Sequence, residues 1–148
     1  MTSYDAAQNL RTICIRKNLT DATILPHFPV GPNNHKEHFV QLNVILDTHY
    51  HHYQKKEYGN SVRILMKFRD HFNKPDNVFY VNPVINALKE KCTQAFLNNV
   101  DPPAVTQQFR NYILEASLIA RPFIRQAPGI TADVLLALEK YIDWLRKL

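Results

Sequence analysis

Three glycines in 148 residues, Gly31, Gly59 and Gly129, constrain this chain more than any other feature. Hairpin turns need backbone at φ > 0, and glycine reaches it at least cost. So few glycines argue against a turn-rich β fold. They also exclude a glycine-rich phosphate loop, of either the dinucleotide or the P-loop type. The remaining composition is that of a folded domain, 45% hydrophobic and 21% charged, so one domain with a sizeable core is expected over 1–148.

The other punctuation is helical. Ser3 can cap a helix to about Asn18, with Leu10, Ile13, Cys14 and Lys17 at helical spacing. Pro26, Pro29, Gly31 and Pro32 mark 25–34 as a loop. Asn34 is placed to cap a helix from about His35 to Tyr58, and Gly59 stands where a left-handed residue closes such a helix. Asn60 then opens a helix over Ser61–Phe72. Asn77–Val81 reads as an extended linker or a lone edge strand. Asn82-Pro83 and Asp101-Pro102 each pair a cap with proline at the first helical position, predicting helices to about Asn98 and to roughly Ala120. Pro122 kinks or ends the second of these. Thr131 caps a last helix over Ala132–Lys147. The expectation is an all-α fold, a single compact bundle of about six helices with one short extended segment near 77–81.

Apolar stripes support that reading. The predicted buried faces are Val84, Leu88, Cys92, Ala95 and Phe96; Val105, Phe109, Tyr112, Ile113, Ala116 and Ile119; and Val134, Leu138, Tyr141, Leu145 and Leu148. Trp144 and Leu148, near the last residue, offer a second use of the last helix, as a contact for a protein partner or a second copy.

The densest chemistry lies at 49–56, where His49, His51, His52, Tyr50, Tyr53, Lys55 and Lys56 fall within eight residues. At 100° per residue, His49 and His52 share one edge of the apolar stripe and His51 turns away. His49 and His52 could both reach one ion, but a third ligand has to come from His71, His27 or Asp47. His38 lies about three helical turns from His49, roughly 16 Å, too far to share a site. His35-Lys-Glu37-His38 lacks the i, i+4 histidines of a metalloprotease helix, and no Cys-x-x-Cys follows to complete a zinc deaminase. No metal or other cofactor is therefore assigned.

Nucleophilic catalysis has no local support. Ser3, Ser61 and Ser117 lack a glycine-flanked elbow, and Cys14 and Cys92 fall on apolar faces where a thiol is inert. Carboxylates interleave with lysine, as in Lys89-Glu90-Lys91 and Glu139-Lys140, and read as solvated faces. No catalytic residue is assigned and the chain is read as a non-enzyme.

The net charge of +5 is concentrated. Lys55, Lys56, Arg63, Lys67, Arg69 and Lys74 face only Glu57 and Asp70 over 49–74. Arg63, Lys67 and Lys74 share one side of the predicted helix, opposite Ile64, Leu65, Phe68 and Phe72. Cations beside Tyr53 and Tyr58 suit phosphates and stacked bases. The candidate partner- or polyanion-binding residues are thus His49, His52, Lys55, Lys56, Arg63, Lys67 and Lys74. The chain opens without the basic start and apolar run of a signal peptide, and its longest aliphatic run, Val134–Leu138, is too short to span a bilayer. An intracellular setting, cytoplasmic or nuclear, is expected. The leading expectation is a helical protein–protein interaction domain, an adaptor, regulator or assembly component. The alternative is a nucleic-acid or polyanion binder using the 49–74 surface.

Overall fold

A computed structural model of the chain describes residues 21–28, 31–41, 44–45 and 66–148. The described elements are strand β1 (His35–His38), a helical segment α1 (66–72), a single 3₁₀ turn (Pro75–Asn77), strand β2 (Val78–Val81), and the helices α2 (Pro83–Leu97), α3 (Gln107–Arg125) and α4 (Ala132–Arg146). This is not the six-helix all-α bundle that the glycine count predicts. A two-stranded antiparallel sheet sits among the helices.

The largest correction falls on His35–His38. Asn34 does not open a helix there; its N–H closes a turn onto the Gly31 carbonyl at 3.2 Å. The chain then runs extended along β2, pairing His35 with Val81, Lys36 with Tyr80, Glu37 with Phe79 and His38 with Val78. The partner decides the conformation. Val-Phe-Tyr-Val is built from β-branched and aromatic residues that pack well on a pleated surface. The segment expected near 77–81 is therefore a real strand, flanked on both edges. On the far edge Thr23 makes a parallel bridge to Phe79: its N–H reaches the Val78 carbonyl at 2.7 Å and its own carbonyl accepts from Tyr80 at 3.1 Å.

Asn77 fastens β2 to what surrounds it. Its side chain is fully buried. Nδ2 donates to the Phe72 carbonyl at 2.9 Å and the Val40 carbonyl at 3.2 Å, while Oδ1 accepts from Val40 N–H at 3.0 Å. One amide thus supplies backbone partners that a longer ladder would otherwise provide.

The three long helices start by local chemistry. Asn82 accepts from Ile85 N–H at 2.8 Å with Pro83 at the first helical position. Thr106 accepts from Phe109 N–H at 3.2 Å and Thr131 from Val134 N–H at 3.4 Å. The cap of α3 is therefore Thr106, and the Asp101-Pro102 start expected for it is a segment without regular structure. Pro122 neither ends nor excludes helix, since α3 continues to Arg125 around it. Its ring lies on the exposed side and it removes only one donor. α2 ends with Asn99 at φ 54, Asn99 N–H on Phe96 and Val100 N–H on Ala95, the two bonds of a Schellman closure. Gly129, at φ +73, turns the chain between α3 and α4.

The helices cover the sheet face that carries Glu37, Phe39 and Phe79. Phe39, Phe79 and Tyr112 meet edge to face at 6.2–6.5 Å between centroids, and Phe28 adds a fourth ring at 5.9 Å from Tyr112. Phe109, Ile113, Ala116, Ala120 and Ile124 of α3 join Val134, Leu138, Tyr141 and Leu145 of α4 in the same core. The predicted face of α2 is off by about one residue. Val84 is 66% exposed and Ile85 is buried, so the inward line is Ile85, Lys89, Cys92, Thr93 and Ala95. The expected helix over 3–18, the part of the expected His35–Tyr58 helix beyond residue 45, and residues 61–65 of the expected Ser61–Phe72 helix lie outside the described residues.

Replacing Asn77 by Ala strips partners from Val40 N–H and from the carbonyls of Val40 and Phe72. A loss of about 1–3 kcal/mol in unfolding free energy is expected, read from urea denaturation.

Candidate functional site

Of the seven residues singled out for partner or polyanion binding, His49, His52, Lys55, Lys56 and Arg63 lie outside the described residues. Lys67 and Lys74 are both exposed. They do not share a helical face, because α1 stops at residue 72 and Lys74 has extended backbone, φ −75 and ψ 156. Arg69 turns to Asp70 at 2.9 Å, and Phe68 and Phe72 are buried. The two described candidates for a third metal ligand differ, His71 being buried and His27 exposed. His71 is 5% exposed and donates from Nε2 to the Phe123 carbonyl at 2.7 Å. His27 pairs through Nδ1 with Glu115. No cluster of three or more His, Cys, Asp or Glu occurs among the described residues.

The most concentrated chemistry in the described structure is a buried network that sequence spacing did not reveal. Lys89, expected on a solvated face, is fully buried, and Glu37, expected at a helix start, is 4% exposed on β1. Lys89 Nζ stands 3.3 Å from Glu37 Oε1, within ion-pair range although not aligned as a hydrogen bond. Nζ donates to the Phe39 carbonyl at 2.5 Å and the His38 carbonyl at 3.3 Å. It also lies over the rings of Phe39 and Tyr141, at 5.3 and 5.7 Å. Tyr112 OH donates to Glu37 Oε2. Thr93 bonds the Tyr141 hydroxyl at 2.7 Å and the Lys89 carbonyl at 2.8 Å. β1, α2, α3 and α4 therefore all end on one polar cluster.

Its electrostatics follow from burial. Burial pushes the Glu37 carboxyl above its ordinary range, against the pull of Lys89 and Tyr112. Burial also opposes the Lys89 ammonium, but Glu37 and Tyr141 outweigh it and raise Lys89 overall. Burial, then the Glu37 charge, raises Tyr112 well above a free phenol. The cluster holds its protons tightly and its donors are spent on neighbours. Neither of the two surface clefts below is lined by it, and its contacts join β1, α2, α3 and α4 to one another. One signal was available: Lys89 lies four residues after Ile85 and three before Cys92, on the buried line.

The serine and cysteine for which the sequence gives no nucleophilic context are also drawn inward. Ser117 is 2% exposed and its hydroxyl donates to the Leu114 carbonyl at 3.0 Å. Cys92 is a buried free thiol, pushed up by burial, and Cys14 lies outside the described residues.

Among the described residues, α3 presents an exposed apolar line. Leu114 is 44% exposed and Leu118 is 72% exposed, one turn apart, with exposed Pro122 a further turn on. Ile119, expected in the core, is 37% exposed beside them. The charges of α3 are drawn sideways into the chain. Arg110 donates to the Leu148 carbonyl at 3.2 Å, Arg121 pairs with Asp143, Arg125 with Glu139 at 2.6 Å, and Glu115 with His27. A cleft of about 400 Å³ opens at the Leu114 end, between His27, Phe28, Gln108 and Asn111. A shallower groove of about 680 Å³ lies between α2 and the Pro102-Pro103 segment, with Glu90, Lys91 and Asp101 on its rim. Trp144 packs at 5.4 Å from Phe96, and with Leu148 it lies half-buried against the core. No helix among the described residues is long and apolar enough to cross a membrane. Comparison of the chain with protein-family models, with curated proteins and with solved structures finds no match.

Lys89→Met leaves a carboxylate buried opposite no charge and should cost about 3–5 kcal/mol at neutral pH, with Glu37→Gln in the same background recovering part of it. A carboxyl whose folded pKa lies above its unfolded value stabilises most below the unfolded value and loses that contribution as pH rises. The Lys89→Met deficit should therefore shrink as pH falls from 8 towards 5 in urea titrations.

Proposed function

We propose that this chain is a non-enzymatic domain of mixed helix and sheet that works by protein–protein contact, and that the contact is made by the solvent face of α3. The supporting observation is the division of labour on that helix. Its charged side chains are turned into bonds with α4, the Leu148 carbonyl and His27, while Leu114, Leu118 and Pro122 stay outward. Interface cores are depleted of charge in this way, with polar groups at the rim. Gln108 and Asn111 at the cleft provide such a rim. A non-catalytic role also fits the burial of Ser117 and Cys92. The intracellular setting belongs to the same proposal and draws on the free, buried Cys92 thiol. Trp144 and Leu148 serve this reading less well, being packed on their own core.

Leu114→Glu with Leu118→Glu tests it. Exposed positions tolerate such changes within about 0.5 kcal/mol of stability. The expected result is an unchanged unfolding midpoint together with loss of self-association by light scattering, or loss of a protein that the parent binds in purified form. An unaltered binding isotherm for that protein would sink the proposal.

The polyanion reading has narrower support, the exposure of Lys67 and Lys74. It expects salt-sensitive retention on heparin that drops when Lys55, Lys56, Arg63 and Lys67 are reversed to Glu. Equal elution of parent and variant would remove it.

A further inference from the structure

α1 and the turn after it are held by the buried rings of Phe68 and Phe72 and by Asn77, and also by two histidines that reach α3 and β1. His71 lies flat on Phe123 of α3, with centroids 4.0 Å apart and planes 9° apart, and donates from Nε2 to the Phe123 carbonyl at 2.7 Å. Its ring also meets Phe72 edge-on at 5.5 Å. Asn73, the first residue past α1, accepts through Oδ1 from His38 Nε2 of β1 at 2.6 Å. Carbonyl oxygens only accept, so both rings carry their proton on Nε2 and are complete as neutral imidazoles.

We propose that His38 and His71 form an acid-sensitive latch: neutral, they fasten α1 and the turn after it to β1 and α3, and on protonation they release that segment before the rest of the fold opens. A second proton places charge where water barely reaches, since His71 is 5% exposed. Burial holds both rings below the ordinary histidine range. At His38 the Lys89 ammonium on α2 pushes the same way and Asn73 resists. At His71 Lys74 pushes the same way, while the Phe123 carbonyl and Asp76 resist. Glu37 sits on the other face of the strand from His38, turned to Lys89 and Tyr112.

The sign of the effect is fixed by linkage. A base whose folded pKa lies below its unfolded value contributes stability above that unfolded value and loses it as pH falls through the folded one. Nε2–H still donates in the charged ring, but the stability gained by burying these two rings in neutral form is lost on acidification from about pH 6.5 downwards. The central cluster behaves oppositely, because the raised Glu37 carboxyl binds its proton more tightly in the fold. Acid therefore loosens the α1 contacts and spares the α2–α3–α4 core. The released segment carries Lys67 and leads directly to Lys74.

Amide hydrogen exchange on the full chain tests the latch. Protection is compared at pH 7.5 and 5.5 after division by intrinsic exchange rates. The expected result is a severalfold loss of protection over 66–77 with α3 and α4 unchanged, and no such loss in His38→Gln/His71→Gln, whose amides still donate but do not titrate. Parallel loss across 66–77, α3 and α4, or the same local loss in the double variant, overturns it. Ring titration of the parent by NMR gives a readout independent of the variants: midpoints at or above 6.5 for both histidines overturn the latch, and midpoints below it support it.

Discussion

The Glu37–Lys89 pair is the constraint on which the rest of the described fold depends. Removing two opposite charges from water costs several kcal/mol for each ion, and only good geometry with further hydrogen bonds offsets that cost. Here the offset draws on every neighbouring element. Lys89 from α2 reaches the two carbonyls where β1 ends, Tyr112 from α3 donates to the carboxylate, and Tyr141 of α4 is joined through Thr93. An arrangement that shifts β1 by one residue turns Glu37 to the other face and strands Lys89 in an apolar core. The pair thus penalises misregister in a strand that has little else to specify it. His35-Lys-Glu-His carries no β-branched or aromatic residue, and apolar content does not choose its inward face.

β2 is the complementary device. Its four residues pair with β1 on one edge, Thr23 bridges Phe79 on the other, and Val78, Phe79 and Val81 are buried. A strand this short cannot hold its surroundings by ladder bonds alone. Asn77 extends its reach to Val40 and to the last turn of α1, and Thr23 adds a hydroxyl bond to the Pro75 carbonyl at 2.7 Å. Polar side chains thereby replace missing sheet, which explains how few glycines and few turns suffice for a fold that is not all helix.

What was legible in the sequence was local. Asn82-Pro83 and Thr131 mark helix starts because capping is a matter of adjacent atoms, and the inward face of α4 follows from spacing alone. What was hidden is non-local. β1 exists only because Val78–Val81 lies beside it, so Asn34 reads as a cap until that partner is known. Thr106 was overlooked because Asp101-Pro102 carries the same local signature a few residues earlier. Lys89 is hidden by its identity, since a lysine beside Glu90 and Lys91 looks solvated while its position on the helix is buried. Its cost on burial is met by carbonyls and a carboxylate drawn from distant segments, which no pattern within α2 reveals.

The same logic separates the two kinds of polar contact in the molecule. Inside, Glu37 and Lys89 are buried and paired, and they bind the elements together. On α3, arginines and the glutamate lean onto α4, the Leu148 carbonyl and the residues around His27, each at an exposed site where an ion pair is worth little in stability. Their consequence lies in what they leave behind. Drawing four charged side chains off one helix face lowers the desolvation that a partner must overcome there, whereas free guanidinium groups at the same positions would raise it. Leu118 stays largely in water in the isolated chain although α3 places buried residues on its opposite side. A helix that could have shielded its apolar face with its own long arginine stems directs them elsewhere, and Leu118 keeps its exposure.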